Sequence, residues 1–123
     1  GRCLAWDVTV PDTLAASHLQ VSCTAAGAAA EGAAIFKANK YQEICRSHEF
    51  CAVAVETMGP MNRDAHQLIS ELGERLTAAS GDPRERSFLY QRISIIIQRC
   101  NAASFRGTFV DADMDVVDFP ATQ

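Results

Sequence analysis

The 123-residue sequence lacks what a membrane or export route requires. No apolar stretch approaches the roughly 20 residues that span a bilayer. The opening residues GRCLAW have neither the apolar core nor the small-residue cleavage site of a signal peptide. A disulfide framework is missing too. The five cysteines (Cys3, Cys23, Cys45, Cys51, Cys100) are odd in number and irregularly spaced, which points to a reducing, intracellular setting. His18 and His66 stand singly, and no serine or cysteine reads as a nucleophile with its base. There are no internal repeats.

What is present describes an ordinary globular domain with a modest core, 48% apolar and 21% charged. The formal charge of −4 is unevenly placed. Four of the 15 acids (Asp111, Asp113, Asp115, Asp118) crowd into DADMDVVDF, and the remaining 11 acids balance the 11 bases. The chain therefore divides into a neutral body, residues 1–107, and an acidic tail, residues 108–123, which has no periodicity and is expected to be disordered.

Periodicity within the body alternates between strand and helix. Residues 3–10 read as a strand, with Leu4, Trp6, Val8 and Val10 on one side, Asp7 and Thr9 on the other, and Pro11 closing it. Asp12 or Thr13 caps a short helical turn through Leu19. The run AAAEGAAIFKANKYQEICR, about 28–46, reads as one long helix, weakened at Gly32. FCAVAVET, 50–57, reads as a buried strand stopped by Gly59-Pro60. Asn62 is placed to cap a helix with Ala65, Leu68, Ile69, Leu72, Leu76 and Ala79 on one face. After the turn Gly81-Asp82-Pro83, a last helix, about 84–104, turns Leu89, Ile93, Ile96, Ile97 and Cys100 inward. The run ISIII within it also fits a strand, but the flanking helical pattern outweighs that. The order β-α-β-α-α makes an α/β fold, with a parallel crossover between the two strands. Two strands alone form a marginal sheet, so an N-terminal partner strand is expected upstream of Gly1.

Asp7 is the first chemical oddity, a lone carboxylate in an apolar, β-branched strand, where an unpaired charge is costly. Glu56 is the second, at the far end of the other strand. Lys37, Lys40 and Tyr41 lie three and four residues apart, so they share one helix face. Spacing alone fits a solvated face. A crossover helix packs over the strand before it, however, and that brings these lysines within reach of Asp7. Strand carboxylates that hold Mg²⁺, with a lysine beside them, are what metal-dependent phosphodiester hydrolysis uses. Such a site needs a second acid, and Glu56 is either that acid or simply a strand-end residue exposed to solvent.

Arg92, Arg99 and Arg106 recur every seven residues and form one stripe on the last helix, suited to phosphate or simply to a solubilising face. No aromatic residues interleave with them for base stacking. Cys45, His48 and Cys51 are spaced at threes, but no second knuckle completes a zinc site, and small apolar roles suit both cysteines.

The succession AWDVTVPDT, KANKY, AVAVETMG, LISELGERL and QRISIIIQRCNAASFRGTF resembles the region after the reverse transcriptase in LINE-type (non-LTR) retroelement proteins. That region is similar to the restriction-enzyme-like endonuclease of the PD-(D/E)xK superfamily, and the resemblance covers residues 3–109. It implies a partial PD-(D/E)xK-like nuclease core without its N-terminal strand or strands. Asp7 would be the second acid of the motif. Thr9 stands where the superfamily has its lysine, which in the retroelement branch moves to the following helix, matching Lys37 or Lys40 with Tyr41 beside them. Pro11-Asp12 follows the strand acid, whereas the family's first Pro-Asp precedes it, so that first acid has no counterpart. Cys100 stands where the relatives tend to have glycine. The resemblance thus implies a fragment of a metal-dependent DNA endonuclease, inactive by itself. Asp7 would hold Mg²⁺ in a complete site, with Glu56 as the second acid that strand position alone suggests, and the resemblance implies DNA or RNA as the partner, in the nucleus. A non-catalytic nucleic-acid-binding or protein-contact module with the same fold is the alternative, and an unrelated small α/β domain is a third.

Overall fold

The computed structural model describes residues 1–108. In chain order the elements are β1 (Leu4–Thr9), α1 (Leu19–Ser22), α2 (Ala28–Lys40), α3 (Gln42–Ser47), β2 (Glu49–Ala54), α4 (Arg63–Ser80) and α5 (Glu85–Thr108). β1 and β2 are adjacent and parallel, in register from Leu4 opposite Glu49 to Thr9 opposite Ala54. The α/β class and the parallel pairing agree with the sequence reading.

α2 crosses one face of this pair. Ala30 and Ala34 are buried against Ala52 and Ala54, and alanine on both surfaces lets helix and sheet approach closely. Gly27 starts the helix with φ +85°, and a Cβ there would lie 3.0 Å from the Met61 carbonyl oxygen, so a side chain is disfavoured twice over. A second cluster lies beyond β2, where Val55, Met61, Ala65 and Ile69 pack with Leu89, Tyr90, Ile93 and Ile97. It joins α4 to α5. The two helices touch at Gly73, where an added Cβ would meet Arg86 Cβ at 2.7 Å.

Several local details differ from, or add to, the sequence reading. The long helix over 28–46 breaks at Tyr41 (φ −105°, ψ 29°), whose ring packs on Phe50 at 5.5 Å, and α3 restarts beyond it. The second strand ends at Ala54. Val55 forms an isolated antiparallel bridge with Met61, and Glu56 begins the turn. In β1 the apolar side faces outward, with Trp6 63% exposed, while Ala5, Asp7 and Thr9 are half-buried on the α2 side. Lys37 on α2 supplies a partner for the carboxylate, and the opposite side of β1 is uncovered among the described residues. Ile96 and Cys100 are exposed on α5, because the inward stripe runs through Leu89, Tyr90, Ile93 and Ile97 instead. α5 continues through Thr108. The remainder of the expected disordered tail lies outside the described residues.

Candidate functional site

The side chain of Asp7 leaves the middle of β1 on the α2 side, and Lys37 approaches it from the last turn of that helix. Lys37 Nζ lies 2.7 Å from Asp7 Oδ2, with 22% and 30% of the two side chains exposed. Oδ2 is buried, and the ammonium meets it as an ion pair at hydrogen-bond distance. Lys37 holds the Asp7 carboxyl below the usual aspartate range. Partial desolvation opposes this, and Tyr41 and Lys40 add smaller downward pushes. Asp7 in turn raises the Lys37 ammonium above its ordinary value.

Tyr41 completes the cluster, with Lys40 Nζ 5.3 Å and Lys37 Nζ 6.0 Å from its ring centroid. Both lysines also sit where the helix dipole favours cations. A lysine whose pKa is raised is a poor general base at neutral pH. It is well suited to holding an anion.

Glu56 is placed elsewhere. It is 1% exposed and accepts a hydrogen bond from the Ala30 amide at 3.2 Å, in the first turn of α2. Asp7 pairs with Ala52, whereas Glu56 lies beyond the end of β2, and the two acids engage opposite ends of α2, Ala30 and Lys37 being roughly 10 Å apart along the helix. The two acids do not share a site. Magnesium needs several hard oxygen ligands, and the Asp7 cluster offers a single carboxylate with one oxygen already facing an ammonium. These residues alone do not fit the ion. Among the described residues no group of three or more His, Cys, Asp or Glu side chains is placed to hold a metal, and Cys45, His48 and Cys51 form no such group.

Arg92, Arg99 and Arg106 are exposed on α5, turned away from the Leu89–Ile93–Ile97 side that packs on α4. Arg84 and Arg46 pair with Asp82 and Glu43 at 2.9 and 3.0 Å. The stripe has no ion pair among the described residues.

Two polar clamps escaped the sequence reading. Asp12 Oδ1 accepts hydrogen bonds from the Leu14 amide and the Thr57 hydroxyl, and the Thr57 amide donates to the Pro11 carbonyl, which fastens the ends of the two strands together. The tie needs a carboxylate and a hydroxyl 45 residues apart, so nothing local announces it. Asn62, 1% exposed, precedes α4 but makes no side-chain cap. Its amide lies along β2, donating to the Ala52 carbonyl at 2.8 Å and accepting from the Ala54 amide at 2.9 Å. An asparagine before a helix reads as a cap whichever way its side chain turns. In comparisons with known proteins, no family, curated protein or solved structure matches the chain.

Proposed function

We propose that this chain is part of a restriction-enzyme-like endonuclease domain of retroelement type, contributing phosphate contacts to DNA without cutting it by itself. The observation that supports this reading most is the Asp7–Lys37 pair, an acid on the first strand of a parallel β-α-β unit met by a lysine of the crossover helix. Lys40 and Tyr41 extend the cluster, and the arginine stripe of α5 offers a second cationic surface. Cleavage would need a further acid beside Asp7, which Glu56 does not supply. The closed ion pair favours a second reading, a non-catalytic nucleic-acid-binding module, with RNA as the other possible ligand.

Salt titrations by fluorescence anisotropy with a labelled duplex test the binding. Weak, sequence-independent affinity is expected, and its logarithm should fall with the logarithm of salt at roughly −0.9 per phosphate neutralised. Lys37→Ala with Lys40→Ala should weaken it and flatten the slope. Replacing the four tail aspartates with Asn should tighten it most at low salt. Absence of low-salt binding by that folded four-Asn variant overturns the nucleic-acid reading. Plasmid DNA with Mg²⁺ or Mn²⁺ should stay intact, and cleavage that Asp7→Asn abolishes would show instead that the chain cuts.

A further inference from the structure

The outer side of α5 carries more than arginines. Phe88, Ile95 and Ala102 recur every seven residues and form an apolar line between the Arg92–Arg99 column and the Gln91–Gln98 column. Phe88 is 40% and Ile95 57% exposed. Two shallow depressions follow this line and meet at Ile95, one walled by Leu76, Phe88 and Arg92, the other by Gln98, Arg99 and Ala102. After Glu85 the helix has no acid, so its arginines have no counter-charge of their own.

Two copies pairing through this face would set unneutralised arginine columns against each other, and like charges oppose such a contact. An acidic segment with apolar residues fits it instead. The chain has one immediately after α5: residues 109–119, FVDADMDVVDF, carry all of the net charge of the sequence, interleaved with Val110, Met114, Val116 and Val117. The length suffices. Arg92 to Arg106 spans roughly 21 Å of helix, and residues 109–119 reach roughly 33 Å if extended. A reversal just beyond Thr108 is enough to bring that segment back along the helix from which it issues.

We infer that residues 109–119 dock along the outer face of α5, with their aspartates on Arg92, Arg99 and Arg106 and their apolar residues over Ile95 and Phe88. The inference does not depend on the nuclease reading, since it rests on complementarity within one chain. Docking of this kind screens the arginine stripe, and an anionic ligand has to displace it.

NMR on the full ¹⁵N-labelled chain tests this, by comparing the wild type with the variant D111N/D113N/D115N/D118N. Circular dichroism of both proteins checks that the fold of the described elements is retained. At low salt the Nε–Hε resonances of Arg92, Arg99 and Arg106 should differ between the two proteins, while that of Arg86, against Gly73, should not. The differences should collapse near 1 M salt, where the screening length is about 3 Å. The reciprocal variant R92A/R99A should shift the amides of residues 111–118. Coincident arginine resonances at low salt overturn the inference. So do shifts that fade on dilution, because they would assign the contact to a second copy.

Discussion

Asp7 and Glu56 pose the same problem in the sequence, an isolated acid in an apolar strand, and the fold answers it in two ways. Glu56 is shut away and accepts the Ala30 amide at the beginning of α2. Asp7 stays partly exposed and meets Lys37 near the end of the same helix. The helix between them is rich in alanine, with Ala29, Ala30 and Ala34 as its buried residues. Small side chains give it little grip on the sheet, and the two acids fasten it at both ends. An acid embedded in a strand is therefore not by itself a metal ligand, because a helix terminus or a helix lysine also satisfies it. The difference lies in what each remains free to do. Glu56 is committed to structure, whereas Asp7 and Lys37 can still be reached from solvent.

Glu56→Ala should separate the two most sharply. It leaves the Ala30 amide without its buried acceptor and opens a cavity, for a loss of about 2–4 kcal/mol in urea unfolding. Glu56→Gln keeps an acceptor oxygen and should lose clearly less. A Glu56→Ala loss no larger than that of a surface substitution would remove its clamping role.

Asp7→Asn should cost less than Glu56→Ala, and its cost should depend on pH. The Asp7 carboxyl is held below its ordinary 3.8, so its contribution is complete above that value and is lost as pH falls through the lower, folded value. The Lys37 ammonium is raised above 10.5, so its contribution is complete below that value and fades as pH rises through the higher, folded one. The stability difference between wild type and Asp7→Asn should thus be flat from about pH 5 to 9 and shrink at both extremes. A double-mutant cycle with Lys37→Met should report the coupling, and additive single effects would show that the pair is not coupled.

Arg92→Ala and Arg99→Ala should change stability least, within about 0.5 kcal/mol. If the proposed function holds, their effect should appear in the salt slope of duplex binding, which should drop by roughly one for each phosphate contact removed. A large unfolding effect would mean that the stripe packs rather than binds.

Much of this was legible in the sequence. Alternation placed β1, apolar spacing placed α4 and α5, and the β-α-β order with a lysine-bearing crossover helix anticipated both the parallel pairing and the Asp7–Lys37 contact. Contacts between distant residues were not. Helix propensity carries AAAEGAAIFKANKYQEICR straight through, and the packing of Tyr41 on Phe50, beyond the helix, accompanies the break. Period 2 divides β1 into two sides without saying which is covered, and α2 covers the side that carries the acid. Glu56 reads as a second ligand because the distance to a helix amide 26 residues earlier is invisible in one dimension.

Asn62 gives the sheet a polarity of growth. By filling the hydrogen-bonding positions of Ala52 and Ala54, its amide ends the sheet at β2 as a further strand would, without offering another edge. β1 has no strand on its other side among the described residues. Among the described residues, extension is therefore opposed along the end of β2 and open along β1. Two copies that met along β1 would form a four-stranded sheet whose outer strands both carry that block, which disfavours further addition. Exchange Asn62 for a residue that cannot bridge those two backbone groups, and the same encounter becomes the first step of an open chain.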